Sequence, residues 1–510
     1  MVREALRSII ILAFLFFSSD ALAKADVEKG KALYQRLCAF CHGMEGAGDG
    51  PAAQYLNPPP RDFTMGLYKW KSTPFDEYAP SDEDLSRMIS GIRSHDPMPG
   101  WDGMNGTSMP GWSDVLGKTE AADIAAYLKT LAGYEKAEKP PISLSGKIEA
   151  DSASLERGKG LFKDRCSECH GEAGRGDATK KLKDDWGART WPRDLTEGWT
   201  FRAGSIPEDI YTRITAGIAG TQMPSFADPA SKKVMTDEQR WDVANYAASL
   251  NEPDKKPVVN SFIKALKTTG KLPESPADAL WEKAPASGFY LFPQMFTAEK
   301  AYATSITSVS VRAVYNGDEA AFLLEWDDPT NSMPWDPKSK EIADGELFPD
   351  AAAIQFPAGQ TKPGERPYFG MGGPKPVVIW HWKSPETIEA GETTRIIDAR
   401  GVKNMTPRMD AGQLLAKGSY DKGRWQLLIK GPMKGTDKDP SFEEGAFIPV
   451  AFALWDGSNG DTKSRHLMTG WQWVLLEKEG QGPSYFWSVA AGVIVLSAEL
   501  LWLFSAPKKR

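Results

Sequence analysis

Histidine and cysteine are the scarce residues of this chain: 510 residues contain five His and four Cys. All four cysteines fall in two short stretches, Cys38-Ala39-Phe40-Cys41-His42 and Cys166-Ser167-Glu168-Cys169-His170. Nothing is left over for a disulfide, an iron–sulfur cluster or a cysteine-ligated zinc. His95, His381 and His466 are the remaining imidazoles, so further metal chemistry has a short list to draw on. A long basic run is also missing, and 61 Lys and Arg against 68 Asp and Glu leave a net charge of −7. A nucleic-acid partner is therefore not expected. Apolar and aromatic residues are plentiful, at 41% hydrophobic with 18 Trp, enough for several cores. The length is that of three or four domains.

The two cysteine stretches have the Cys-x-x-Cys-His form that attaches a c-type haem. The two thiols add to the porphyrin vinyl groups, and the adjacent histidine reaches the iron. The spacing therefore predicts two covalent haem c groups, on Cys38 and Cys41 with His42, and on Cys166 and Cys169 with His170. The surrounding sequence is duplicated. Glu28-Lys29-Gly30-Lys31-Ala32-Leu33-Tyr34 aligns with Glu156-Arg157-Gly158-Lys159-Gly160-Leu161-Phe162 at an offset of 128. Pro60-Arg61-Asp62 is echoed by Pro192-Arg193-Asp194. Two tandem all-α domains are expected, over 25–136 and 150–251. Each ends in a run with apolar residues at helical spacing, 121–131 and 241–250.

Each copy resembles a class I cytochrome c. The resemblance implies that the first and last helices cross, with Tyr34 against Tyr127 and Phe162 against Tyr246. It also implies a distal Met ahead of a Pro, which keeps the iron six-coordinate and raises its potential. In the second copy this is Met223, in Gly220-Thr221-Gln222-Met223-Pro224. In the first copy Met109 and Met98 compete. Gly106-Thr107-Ser108-Met109-Pro110 repeats the second copy's motif and favours Met109, whereas the distance from Gly91 favours Met98. His95 reads as a surface loop residue.

Residues 1–23 read as an export signal: Arg3 and Arg7, an apolar run, then Ala21-Leu22-Ala23 as a cleavage site. Residues 485–504 are nearly all apolar or small, long enough as a helix to span about 30 Å. A transmembrane helix is thus expected over 485–506, with Lys508, Lys509 and Arg510 in a cytoplasmic tail at 507–510. Glu499 within it is either protonated or facing a partner helix, or else lies close enough to the headgroups to reach them. Together the ends predict a single-pass protein on the periplasmic side of a bacterial inner membrane.

After a Pro-containing linker at 252–276 the texture becomes β-rich. Short runs at 308–315, 320–326, 352–356, 377–382, 424–429, 450–454 and 471–476 are separated by turn residues, which suggests an antiparallel sandwich over 277–478. This region resembles the haem b-binding γ subunit of ethylbenzene dehydrogenase and related molybdenum enzymes. The likeness is carried by Leu324-Glu325-Trp326-Asp327-Asp328-Pro329, by Phe348-Pro349-Asp350-Ala351-Ala352-Ala353, by Tyr368-Phe369-Gly370-Met371-Gly372 and by Val450-Ala451-Phe452-Ala453-Leu454-Trp455-Asp456-Gly457. It implies one non-covalent haem b with Met371 and Lys463 as axial ligands. Met333 is a rival to Met371. On chemistry alone His381 or His466 would be the more usual ligand, and a sandwich used only for docking needs no haem at all.

The expected fold class is multidomain: two all-α cytochrome c domains, one all-β sandwich haem-binding domain and one C-terminal transmembrane helix. The expected function is electron transfer with no catalytic residues. The resemblance implies a relay between the iron–sulfur and molybdopterin subunits of an oxidoreductase and a respiratory carrier, another cytochrome or a terminal oxidase. The alternative is a free-standing membrane-tethered dihaem cytochrome c whose sandwich serves docking or ligand sensing.

Overall fold

The computed structural model describes residues 25–477, apart from 57, 92–103, 105–106, 252–255, 260, 363, 410–411 and 413. The first copy is built on α1 (Val27–Leu37), α2 (Ala39–His42), α3 (Asp82–Ser90) and α4 (Lys118–Leu131). The second repeats this with α5 (Ser152–Arg165), α6 (Ser167–His170), α7 (Pro207–Ala216) and α8 (Asp237–Ser249). Side-chain caps start four of these helices, α1, α3, α5 and α8. Asp26 accepts from the amides of Glu28 and Lys29, and Asp151 accepts from that of Ser154. Ser81 with Asp84, and Thr236 with Gln239, form capping boxes.

In each copy the first helix packs across the last, α1 on α4 and α5 on α8. A glycine sits at each crossing. A Cβ on Gly30 would stand 2.0 Å from the Asp123 carbonyl oxygen, and one on Gly158 would stand 2.1 Å from that of Asp242. The crossing aspartates tie the helices together: Asp123 accepts from the Asp26 amide, and Asp242 from Ser154 Oγ and Arg157. Tyr34 meets Tyr127 at 5.3 Å between ring centroids, and Phe162 meets Tyr246 at 5.4 Å. These are the contacts expected from the sequence.

The β-rich part occupies the runs read as strands. Numbered along the chain, β1 (Leu182–Lys183) and β2 (Arg189–Thr190) belong to the second helical domain, and the rest are β3 (Val258–Val259), β4 (Ile263–Lys267), β5 (Ser287–Tyr290), β6 (Phe292–Pro293), β7 (Ser308–Tyr315), β8 (Glu319–Asp327), β9 (Ala351–Pro357), β10 (Val377–Lys383), β11 (Thr393–Ala399), β12 (Met405–Pro407), β13 (Leu415–Asp421), β14 (Arg424–Pro432), β15 (Phe447–Trp455), β16 (Leu467–Met468) and β17 (Gln472–Leu476). Its topology corrects the expected antiparallel sandwich. Among the described residues the strands form one connected 15-stranded sheet, and β17 and β7 pair in parallel with β4 (Ile263–Lys267). The join is β15. Its first half, Phe447 to Val450, pairs with β17, and its second half, from Ala451, pairs with β9. A nine-residue strand that changes partner midway leaves no break between two separate layers. The sheet still folds onto itself: Val311, Phe322, Leu324 and Leu427 on one side share a core with Ile354, Phe356, Trp380 and Phe452 on the other.

The expected transmembrane helix and single-pass membrane placement are also corrected. Among the described residues no helix is long and apolar enough to cross a membrane. The longest, α4 and α5, have 14 residues, about 21 Å, and both carry charged side chains. The segments on which those expectations rest, 1–23 and 485–510, lie outside the described residues.

The second helical domain and the β domain share a polar interface. Arg424 pairs with Asp194, Glu197 and Asp327. Lys338 pairs with Asp177 at 2.9 Å, and Arg189 with Asp344 at 3.0 Å. Trp191 Nε1 donates to the Ala303 carbonyl at 2.6 Å.

Candidate functional site

Cys38 caps the end of α1, and the single turn of α2 carries Cys41 and His42. The amide of His42 donates back to the Cys38 carbonyl at 2.9 Å. The second copy repeats this turn, with the His170 amide donating to the Cys166 carbonyl at 3.0 Å. Both turns end on a left-handed glycine, Gly43 at φ 81° and Gly171 at φ 75°. The thiols stand where thioether sulfurs would be after haem attachment.

Each histidine is oriented by a backbone carbonyl. His42 Nδ1 lies 3.0 Å from the Arg61 oxygen, and His170 Nδ1 lies 3.0 Å from the Arg193 oxygen. A carbonyl can only accept, so Nδ1 carries the proton and Nε2 keeps its lone pair for a metal. Burial lowers the pKa of both rings, which favours the neutral, ligating form.

The methionine loops are built alike. Thr221 Oγ1 donates to the Ile218 carbonyl and accepts from the Met223 amide, and the Ile218 amide donates to the Met223 carbonyl. Thr107, Met104 and Met109 make the same three bonds. Met109 therefore stands in its loop as Met223 does in its own. Met98 and His95 lie outside the described residues.

His42, Met109, His170 and Met223 all line one cavity of about 1310 Å³. A single small-molecule pocket usually holds roughly 300–1,000 Å³, so this space is larger than one such pocket. Its wall also includes residues 302–308 and 327–329 of the β domain. The lining carries Arg61, Lys69, Arg193 and Arg202 together with the carboxylates of Asp62, Asp184 and Asp194. Burial drives Lys69 down to about 8 and Arg202 down to about 9, and the neighbouring guanidinium charges add to both shifts. Arg61 and Arg193 are lowered by burial as well. The buried guanidinium of Arg202, whose Nε lacks a hydrogen-bond partner, suits an anionic group, and a haem propionate fits it. Cations also join the two helical domains, with Arg61 over Trp186 at 4.9 Å and Arg213 over Trp70 at 4.7 Å.

These arginines were missed as functional residues in the sequence. The signal was the repeated Pro-Arg-Asp, which supplies both the carbonyl behind each histidine and a guanidinium in the wall.

In the β domain Met371 and Lys463 both adopt left-handed backbone, at φ 56° and φ 50°. Such strain in residues other than glycine concentrates at functional sites. Met371 packs on a small apolar cluster with Ala353, Ile379, Ala453 and Trp455. Trp455 Nε1 donates to the Lys463 carbonyl at 3.0 Å, so one tryptophan adjoins both residues. His381 and His466 flank the same indole, at 5.6 and 4.6 Å between centroids. Met333 packs against the main core instead.

Residues 27–132 and 155–251 match the cytochrome c family, and residues 278–393 match the ethylbenzene dehydrogenase family. A putative respiratory nitrate reductase heme subunit, ORF7 of Haloferax mediterranei, is 27% identical over 44% of this chain and 76% of its own length. The chlorate reductase subunit gamma of Ideonella dechloratans is 26% identical, covering 43% of this chain and 86% of that protein. The Cbb3-type cytochrome c oxidase subunit FixP of Azorhizobium caulinodans is 28% identical over 42% of this chain, which spans 58% of that relative.

Proposed function

We propose that this chain, two cytochrome c domains followed by an ethylbenzene dehydrogenase-type domain, is the haem-bearing relay subunit of a molybdopterin oxidoreductase. It would take electrons from an iron–sulfur subunit at the β domain and deliver them to a respiratory carrier at the first helical domain. The observation that carries this reading is the single cavity. It runs from His42 past His170 to the β domain, so the three domains line one continuous path. The sequence of the chlorate reductase gamma subunit extends the analogy to the partners.

Haem, when bound, supplies one-electron chemistry at iron. The chain does the rest. Cys38, Cys41, Cys166 and Cys169 fix two haem c groups covalently. His42 and His170 would hold the irons through Nε2, and Met109 and Met223 would hold them through their thioethers. Met371 and Lys463 are assigned to one non-covalent haem b. Two protein ligands for each iron would leave no position open to substrate, as befits a carrier. Arg61, Lys69, Arg193 and Arg202 would balance the propionates.

The likeness to FixP favours a second reading, a dihaem cytochrome c of an oxidase complex. Affinity purification from the native host separates the two. Co-purifying iron–sulfur and molybdopterin subunits support the proposal, and a haem–copper oxidase in their place overturns it. A pyridine haemochrome assay gives two haem c per chain. Acidified acetone extracts one haem b from the purified chain and none after Met371→Ala with Lys463→Ala.

A further inference from the structure

Asp328, Asp350 and Asp456 are each fully buried, and an oxygen of each lies within 4.8 Å of an oxygen of the other two. They come from distant parts of the chain. Asp328 follows β8, Asp350 precedes β9, and Asp456 follows β15. Among the described residues no Lys or Arg forms an ion pair with any of the three.

Three buried carboxylates must be neutralised by protons or by a cation. The hydrogen bonds of Asp350 argue against a proton there. Both of its oxygens already accept from groups that can only donate, the Gly457 amide at 2.8 Å and Trp425 Nε1 at 2.9 Å. Asp456 Oδ1 accepts from the Asn459 amide at 3.1 Å, and its Oδ2 lies 2.5 Å from Ser305 Oγ. A protonated acid must turn one oxygen into a donor, whereas an ionised one only accepts. The third member supplies an independent sign of a missing ligand. Asp328 Oδ1 accepts from the Thr330 amide, but Oδ2, wholly buried, has no partner.

We propose that Asp328, Asp350 and Asp456 bind a hard divalent cation of the calcium class. The donors are all oxygen, which suits Ca²⁺ and not a thiophilic metal. Oxygens on opposite sides of a bound Ca²⁺ stand about 4.6–5.2 Å apart, a span that accommodates the 4.8 Å separation limit. The location gives the ion a task. β8 lies on one side of the folded sheet and the adjacent β9 and β15 on the other, so the cation clamps the two sides at one end. That end faces the second helical domain. Ser305 and Asp328 line the haem cavity, and Lys338, soon after Asp328, reaches Asp177. The ion therefore holds the docking face against which the second haem site is built. The site is independent of which partner receives the electrons.

The test uses the full-length, haem-loaded protein. Elemental analysis after desalting, followed by chelator treatment and titration with Ca²⁺ alone, is expected to give one Ca²⁺ per chain. Tb³⁺ in its place is expected to luminesce through Trp425. Added Ca²⁺ should raise the melting temperature over that in chelator. Asp328→Asn should weaken binding at least tenfold and remove the Ca²⁺-dependent rise. Asp456→Asn provides a second variant if the first misfolds. Wild-type protein that holds no calcium, takes up neither Ca²⁺ nor Tb³⁺, and melts alike in chelator and Ca²⁺ would overturn the proposal without recourse to any variant.

Discussion

The carbonyl oxygen of Arg193 stands 3.0 Å from Nδ1 of His170, and the guanidinium of the same residue donates to Thr307 Oγ1 at 3.1 Å. One residue thus orients the proximal imidazole of the second c site and ties it to the β domain. Arg193→Ala keeps the carbonyl but removes a buried cation beside the haem. A nearby positive charge favours the reduced state, so its loss lowers the potential of that haem, by up to about 60 mV, a tenfold shift in a one-electron equilibrium. Spectroelectrochemical titration reads this directly. An unchanged or raised potential contradicts the placement of the cation.

Met109→Ala should abolish the Met-to-iron charge-transfer band of one haem, and Met223→Ala that of the other. Met98→Ala should leave both bands intact. The two loops share the same three hydrogen bonds, which is why Met109 is expected to act as Met223 does. Near-infrared spectra of the oxidised variants decide, and loss of the band in Met98→Ala reverses the assignment.

Gly158→Ala places a methyl group 2.1 Å from the Asp242 carbonyl oxygen. The helices must part to admit it, at a cost of about 1–3 kcal/mol. Denaturant unfolding followed at the haem band should show this loss, while Gly160→Ala, with open space around it, should be neutral or mildly stabilising.

His381 is driven down to about 4 by burial, with repulsion from Arg395, Lys383 and His466, and its Nδ1 has no partner. Its folded pKa lies below the unfolded value near 6.5, so the unfolded chain binds the extra proton first. The stabilising effect is complete above about pH 6.5 and is lost as pH falls toward about 4. The loss is about 3 kcal/mol. His381→Gln should flatten that part of a melting-temperature profile, and an unaltered slope contradicts the account.

The haem signatures, the Met-Pro loops and the helix crossing were legible because each is written within a few residues. Cys41 and His42 share one turn, and Gly30 and Tyr34 lie on one helix. The β runs were legible through their composition and turns. The partner switch of β15 at Ala451 was not, since strand pairing is set by distant residues. The cationic side chains of the cavity escaped notice for the same reason: Arg61 and Arg202 are separated by a domain boundary. Asp328, Asp350 and Asp456 look in sequence like ordinary turn residues at strand ends, and only the folded sheet brings them together. The apolar run at 485–504 was readable as a span by composition alone, but the described structure contains no helix of that kind.

The central claim is that electrons cross from the β domain to the c sites within one molecule. Flash photoreduction of the fully oxidised, haem-loaded protein, followed at the b and c absorption bands, tests it. The account predicts that the b signal decays as the c signals rise, in a first-order process whose rate does not change with protein concentration. A rate that scales with concentration, or c haems reduced with no b signal preceding them, would contradict it.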